Sequence, residues 1–235
     1  MKMRKLRAVI IALAVRSIFI GALHAGDVAS FVDLGFSENG GIYMFAQYGV
    51  DESTLRPWSE LFIVDVGSND FVTDGRLSYK HDKPVALGQD GSAALLRIIS
   101  RNGKIIQKYR SSFMRQGIPL FISLEDVRDS GGQTIDFRDF ERGVYYTAAL
   151  KTAVYGSDSN IRSSFFINFD SLARNGAKKS YLAGNPDIRR AGVTAYSIKK
   201  AIVSPDRNAM ILVIEMTLPS ADGVNIRYMI EALRL

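Results

Sequence analysis

A tight polar turn and the two short apolar runs that follow it constrain the fold of this chain more than any other feature. Ile42 to Ala46 follows Asn39-Gly40-Gly41, and a second run spans Leu61 to Val66. Glycine adopts positive φ without steric cost and asparagine tolerates it, so this turn predicts a hairpin. Both runs are rich in β-branched and aromatic residues and almost continuously apolar. We therefore expect strand, turn, strand, loop and strand between Asp33 and Val66, with the inner strands buried on both faces.

A second copy of this pattern occurs near the C-terminus. Phe36-Ser37-Glu38-Asn39-Gly40 corresponds to Val203-Ser204-Pro205-Asp206-Arg207 at an offset of 167 residues, and the same offset carries Leu61–Val64 onto Tyr228–Glu231. Both copies resemble the strand-turn-strand unit of TolB-type β-propeller blades, in which an aromatic-Ser-Pro-Asp-Gly turn precedes an apolar strand. A propeller needs at least about four blades of four strands. The intervening sequence does not show two more blades, so a complete propeller is rejected.

Three segments carry a wider resemblance: Gly26 to Ser37, Ala46 to Val50 and Glu60 to Val66. Through them the whole mature chain resembles a family of predicted secreted bacterial proteins catalogued only as a domain of unknown function. The resemblance implies secretion and no known activity, and it assigns no catalytic residue.

The first 25 residues have the layout of a secretory signal peptide. A basic start, residues 1–7, precedes an apolar stretch that Arg16 interrupts, and the segment ends with Leu23-His24-Ala25 before Gly26. An uncleaved membrane anchor is the alternative, which Arg16 disfavours because a charge in mid-membrane costs several kcal/mol. We predict cleavage at residue 25, a periplasmic or secreted location, and no transmembrane span in the mature protein.

Removing this segment changes the charge balance. Residues 1–25 hold five of the 30 bases and none of the 24 acids, so the mature chain carries 25 bases against 24 acids. The basic character therefore belongs largely to the targeting segment and does not indicate a nucleic-acid partner. The chain has no cysteine, which excludes disulfides, thiolate chemistry and lipoprotein acylation. Residues 26–235 are expected to form one β-rich domain, with two domains as the alternative.

Residues 91 to 113 change to a helical period and predict a helical insertion at about 91–115. Asp90 is placed to cap its start, and Gly103, which costs about 1 kcal/mol in a helix, could split it. One face is apolar, comprising Leu95, Ile98, Ile99, Ile106, Tyr109 and Phe113. The opposite face carries Arg97, Arg101, Lys104 and Lys108, and no acid lies between Gly91 and Gly117. This face is either a solvated surface or a docking surface for an acidic envelope protein or an anionic surface.

The remaining sequence predicts an α+β fold that is mainly antiparallel sheet, with the helical insertion and blade-like repeats at both ends. From Gln133 onward, apolar runs alternate with short turns, which favours antiparallel meanders. Ser68 to Pro84 is expected to be loop with a short strand at Phe71-Val72. Ser180 to Ala183 is expected to be a short strand that ends at a turn, Gly184-Asn185-Pro186-Asp187.

Trp58, the only tryptophan, supports two interpretations. It follows Pro57 and leads the third strand, so it is either an anchor packed on the sheet or a stacking platform for a sugar or aromatic ligand.

Catalytic motifs are scarce in the mature sequence. His81 is its only histidine, in a polar stretch beside Asp82, and there is no Gly-x-Ser-x-Gly elbow. Ser197-Ile198-Lys199-Lys200 matches Ser-x-x-Lys but lies in a strand-like segment, whereas that chemistry needs a helix. A zinc site of several His or Cys residues is excluded by count. An acidic cluster lacks the EF-hand spacing: Asp126, Asp129, Asp136, Asp139 and Glu141.

We therefore predict a non-enzymatic exported protein that binds another envelope component and needs no cofactor. A small-ligand or glycan-binding module that uses Trp58 is the alternative. An enzyme of unrecognised type is the third.

Overall fold

A computed structural model describes residues 26–86, 88–109, 112–124, 132–157, 160–220 and 223–235. The predicted signal segment, residues 1–25, lies outside the described residues. The elements within them are β1 (Ser30–Phe36), β2 (Ile42–Asp51), β3 (Arg56–Asp65), β4 (Asp70–Lys80), α1 (Ser92–Arg101), α2 (Gly103–Lys108), β5 (Ile118–Ile122), β6 (Gln133–Asp139), β7 (Val144–Tyr155), β8 (Arg162–Leu172), β9 (Lys178–Ala191), β10 (Ala195–Val203), β11 (Ala209–Ser220) and β12 (Gly223–Arg234).

These strands form three four-stranded sheets in which every named strand pairing is antiparallel. Sheet A has the order β1-β2-β3-β4, and sheet C has the order β6-β7-β8-β9. Sheet B has the order β12-β11-β10-β5, because the chain leaves after β5, builds sheet C and then returns. The prediction of a mainly antiparallel fold with a helical insertion is confirmed.

Sheet B packs between the other two sheets, and the helices cover the outer face of sheet A. One core joins sheets A and B through side chains such as Phe45 and Ile211, and another joins sheets B and C through Leu212 and Phe169. A third core packs Met44 against Ile98 of α1. Met44 and Phe45 are neighbours, yet they are 2% and 1% exposed on opposite faces. The prediction that the inner strands are buried on both faces is confirmed.

The β1–β2 and β10–β11 turns share five hydrogen bonds. Ser37 and Ser204 each accept, at the backbone carbonyl, the amide three residues on. Each serine amide also donates to the carbonyl five residues on, and each serine hydroxyl accepts the amide of that same residue. Asn39 and Asp206 complete the pattern, because their Oδ1 atoms accept the serine hydroxyl and the amide two residues further on. The fourth residue of each turn, counted from the serine, has positive φ: 67° at Gly40 and 58° at Arg207.

The third strands of these two segments follow a slightly different spacing. Ala46 pairs with Leu61 in sheet A, and Val213, 167 residues beyond Ala46, pairs with Ile230 in sheet B. Ile230 lies 169 residues beyond Leu61. The offset between corresponding residues of the two segments is therefore 167 in the second strand and 169 in the third. The predicted correspondence of Leu61 with Tyr228 is therefore wrong by two positions.

Two edge strands are much longer than the sequence predicts. β4 is an 11-residue strand where loop was expected, and β9 runs for 14 residues through the expected turn at 184–187. Both strands bulge: residues 72–75 of β4 face one residue of β3, and residues 186–189 of β9 face one residue of β8. These bulges interrupt the alternation, and most side chains of both strands are exposed or half-buried, so the residues lack the apolar signature of a strand.

The helical insertion forms two short helices. α1 ends at Arg101, and α2 begins at Gly103, where the split was anticipated. Asp90 Oδ1 accepts the amide and hydroxyl of Ser92, 3.1 and 2.6 Å away, at the start of α1. The expected apolar face is wrong at Phe113, which lies beyond α2 and is 61% exposed.

Candidate functional site

The four bases predicted as a docking surface lie on the outer side of α1 and α2. Arg97, Arg101, Lys104 and Lys108 are all exposed, at spacings of three or four residues, which places them on neighbouring turns. Leu96 lies beside Arg97 and is 68% exposed. We call these four bases and Leu96 the basic face.

None of the four bases forms an ion pair with a carboxylate among the described residues. The Arg101 guanidinium lies 4.9 Å from the centre of the Tyr79 ring, and the Lys108 ammonium lies 4.9 Å from that of Tyr109. Some other bases of the described chain are paired with acids, among them Arg207 with Asp139 and Glu141. The basic face is therefore a local excess of positive charge, whereas residues 26–235 together hold 25 bases and 24 acids.

The helices that carry this face are fixed to sheet A. Leu95 and Ile98 are 8% and 1% exposed and pack on β2 and β3. The Ser59 hydroxyl donates a 2.9 Å hydrogen bond to the Ala94 carbonyl, and the Tyr109 hydroxyl donates to the Thr73 carbonyl at 3.2 Å. α1 is therefore anchored by buried side chains, whereas α2 has no buried residue and is tied to sheet A through Tyr109 just beyond its end.

Trp58 lies in a cluster that joins Asp27, near the start of the described residues, to β12. It is 8% exposed, and its Nε1 donates to Asp27 Oδ2 at 2.8 Å. The Arg227 guanidinium lies 4.2 Å from the ring centre and donates to the same oxygen at 2.7 Å. A Cβ at Gly49 would lie 2.9 Å from the ring, so only glycine fits beneath it. Arg227 occupies the stacking position that a ligand would take.

The Asp27 carboxyl in this cluster has a raised pKa. Burial is the main cause, and the Arg227 charge with the hydrogen bonds from Arg227 and Trp58 only partly opposes it. This cluster fits the anchor interpretation of Trp58.

The remaining chemistry-bearing residues of the sequence are dispersed. The His81 side chain bonds Lys83 through Nδ1 and lies 3.3 Å from Asp82, and its ring is edge-on to that of Tyr79. Its backbone amide donates to the Pro57 carbonyl. Ser197 and Lys200 lie in strand β10, as predicted. Of the acidic cluster, Asp139 and Glu141 pair with Arg207, and Asp136 Oδ1 accepts the Thr147 hydroxyl. Asp126 and Asp129 lie outside the described residues.

A site that the sequence did not predict lies where the three sheets meet. A cleft of about 420 Å³ is lined by the β3–β4 turn of sheet A, by β12 of sheet B and by β9 of sheet C. Its charged side chains are Asp70, Arg190 and Glu231. Glu231 is 4% exposed although it is a carboxylic acid. The available signal was an acid within an apolar run, Tyr228 to Leu233.

Glu231 is held by one donor from each of the other two sheets. Its Oε2 accepts Asn69 Nδ2 at 2.5 Å and the Gly184 amide at 3.0 Å. Asn69 Oδ1 in turn accepts the Ala232 amide at 2.6 Å, on the outer edge of β12. Burial raises the pKa of Glu231, and these two hydrogen bonds with the Arg190 charge oppose that effect.

No group of three or more potential metal ligands from His, Cys, Asp and Glu occurs in the described part of the chain. Among the helices described, none is both long and apolar enough to cross a membrane.

Layered antiparallel sheets with a short helical insertion define a class of β-rich protein. The model of the family described as "Predicted secreted protein (DUF2259)" matches residues 44–234, from within β2 to the end of β12. The chain belongs to this family, and it is a periplasmic or secreted protein. No curated protein matches the chain.

Proposed function

We propose that this protein is a non-enzymatic binding module of the cell envelope that docks onto an acidic envelope protein through the basic face. The observation that carries the proposal is the exposure of four bases on two helices that cover the outer face of sheet A, with no carboxylate partner among the described residues. Like charges at these spacings repel by a few tenths of a kcal/mol per pair. An acidic partner would remove that repulsion and gain charge-assisted contacts.

A protein partner is favoured over an anionic lipid surface. Each base near such a surface contributes about 1 kcal/mol, so four contribute about 4 kcal/mol, which corresponds to a Kd of about 1 mM. The apolar residues Leu95 and Ile98 are already buried against sheet A and cannot insert into lipid. Leu96, exposed among the bases, offers an additional apolar contact to a protein surface.

The test is capture of partners from solubilised cell envelope by the tagged mature protein, with identification by mass spectrometry. Wild type is compared with Arg97→Glu/Lys104→Glu, since neither residue has a described ring or carboxylate contact. The matched control is Lys178→Glu/Lys179→Glu, two exposed lysines of β9 in sheet C. Both double variants change the net charge equally. We expect the basic-face variant alone to lose an acidic partner, and about 1 M salt to release it, since the screening length is then about 3 Å.

Two outcomes contradict the proposal. One is equal capture by the basic-face variant and the wild type. The other is equal loss in both double variants, which would indicate a non-specific charge effect. Binding to phosphatidylglycerol vesicles but not to phosphatidylcholine vesicles, with no acidic protein captured, would assign the face to lipid.

A small-ligand or glycan-binding module is the second candidate function. The observation that favours it is the cleft at the junction of the sheets, which has a buried acid and a volume of about 420 Å³. Ligand pockets are commonly about 300–1,000 Å³. For this second candidate function the binding residues are those that line the cleft, and not Trp58, because Arg227 covers the Trp58 ring.

We also propose that sheets A and B contain two related strand-turn-strand segments that resemble propeller blades. The support for this relation is the shared set of turn hydrogen bonds at Ser37 and Ser204. Superposition of Gly35–Ala46 on Ile202–Val213 in an experimental structure is the test, and divergent backbone paths would contradict the relation.

A further inference from the structure

Two oppositely charged side chains line the junction cleft without pairing with each other. Arg190 of sheet C and Glu231 of sheet B both border it. The Arg190 charge acts on the Glu231 carboxyl, but the described ion pairs of the chain join other partners. An acid and a base that share a cleft at a separation too large for a direct contact leave space for a molecule between them.

Arg190 has hydrogen-bonding capacity that the described residues do not meet. Its Nη1 is buried and has no hydrogen-bond partner among them. The guanidinium lies 4.8 Å from the centre of the Phe165 ring, and Phe165 is itself 1% exposed. Stacking on a buried ring fixes the guanidinium in place, and a buried donor without a partner destabilises the protein. A carboxylate that reached this group would remove part of that destabilisation.

Glu231 likewise has one carboxyl oxygen that accepts no hydrogen bond from the described residues. Both of its hydrogen bonds, from Asn69 and Gly184, end on Oε2, and Oε1 has no partner among the described residues. Because one donor comes from sheet A and the other from sheet C, the carboxyl group is fixed from both sides. An ammonium group fits beside it, since a carboxylate accepts several charge-assisted hydrogen bonds.

We propose that the junction cleft binds a small zwitterion with one ammonium and one carboxylate group, as in a free α-amino acid. Arg190 receives the carboxylate and Glu231 receives the ammonium. A simple anion would be repelled by Glu231 and Asp70, a simple cation would leave the Arg190 guanidinium unpaired, and an uncharged sugar would leave the charges of both Arg190 and Glu231 unpaired. The volume of about 420 Å³ is at the small end of ligand pockets and suits a molecule of this size.

The ligand would join the sheets as well as occupy the cleft. Arg190 belongs to sheet C and Glu231 to sheet B, and Asn69 of sheet A holds Glu231. A molecule that binds only the folded protein raises its thermal midpoint. Calorimetry and thermal unfolding are therefore two independent measurements of the same site.

The experiment titrates the mature protein with L-alanine, D-alanine, L-lysine and L-glutamate by calorimetry, with parallel thermal unfolding. Propionate, ethylamine and glucose are the matched probes that lack the ammonium, the carboxylate or both. We expect at least one amino acid to bind and to raise the thermal midpoint, and each matched probe to bind at least about tenfold more weakly, a difference of 1.4 kcal/mol.

Three variants locate the site. Arg190→Gln and Glu231→Gln should each weaken amino-acid binding at least about tenfold, because each leaves one ligand charge unpaired in the cleft. Arg189→Gln is the control, since Arg189 stacks on Tyr155 at 4.4 Å and does not line the cleft. If Arg190→Gln fails to fold, Glu231→Gln decides, because its amide oxygen can still accept from Asn69 and Gly184.

The proposal is overturned if no amino acid binds at about 10 mM, ten times a Kd of about 1 mM. It is also overturned if glucose binds and the amino acids do not, or if amino-acid binding is unchanged in both cleft variants. None of these results bears on the basic face, whose partner is tested separately.

Discussion

Replacement of each turn serine by alanine tests the hydrogen-bond pattern shared by the β1–β2 and β10–β11 turns. In each turn the serine carbonyl is occupied by the amide three residues on, so the next strand's first amide depends on the serine hydroxyl. Ser37 is 4% exposed and Ser204 is fully buried, so water cannot easily replace the lost hydroxyl. Both Ser37→Ala and Ser204→Ala should therefore destabilise the protein.

The two losses should differ because the third turn residue differs. The Ser37 hydroxyl bonds Ile42 N and the neutral Asn39, two bonds of about 1 kcal/mol each, so Ser37→Ala should cost about 2 kcal/mol. The Ser204 hydroxyl bonds Ala209 N and the carboxylate of Asp206. A bond to a charged group contributes about 2 kcal/mol, so Ser204→Ala should cost about 3 kcal/mol. At about 2–4 °C per kcal/mol, the midpoints should fall by about 4–8 °C and about 6–12 °C.

Urea and thermal unfolding of both variants at neutral and acidic pH provide the measurement. Burial opposes ionisation of Asp206, but the hydrogen bonds from Ser204 and Asn208 outweigh it and hold its pKa below the ordinary value. That contribution is present above the ordinary aspartate pKa of about 3.9 and is lost as pH falls through the lower folded value. The gap between the variants should therefore narrow below about pH 4. An equal or smaller loss for Ser204→Ala at neutral pH would refute the reasoning.

Three further outcomes are expected. Sequencing of protein isolated from cells should give Gly26 as the first residue, and a chain that retains residues 1–25 would contradict the predicted cleavage. His81→Ala should change stability by less than about 0.5 kcal/mol and leave partner capture intact, because the His81 side chain makes only local contacts, with Lys83, Asp82 and the Tyr79 ring; loss of capture in a folded variant would reopen the enzyme alternative. Glu231→Gln should gain stability relative to wild type as pH rises above 4.5, the ordinary pKa of that carboxyl. Burial raises the pKa of Glu231 in the folded protein, so its contribution to the stability of the wild type is present below pH 4.5 and declines above that pH. The urea midpoints of both proteins are measured below and above pH 4.5, and an unchanged difference between them would contradict the prediction.

Several local features could be read from the sequence because short-range chemistry determines them. A serine followed two residues later by Asn or Asp builds the same turn at Ser37 and Ser204. Continuous apolar runs can be accommodated only in strands covered on both sides, as Met44 and Phe45 show. A 3.6-residue period with Gly103 in its middle produced two helices, and the basic face followed from that period alone.

The sequence alone determined that the chain is exported, that its sheets are antiparallel and that its inner strands are covered on both faces. The tertiary structure decided which residues distant in sequence come into contact. Asn69 reaches Glu231 across 162 residues of chain, and Trp58 receives Arg227 from the last strand. The edge strands β4 and β9 were also decided there, because their pairing with β3 and β8 defines them and their own polar, bulged sequences do not. Such contacts depend on how three sheets stack, and no local pattern records which residues that stacking brings together.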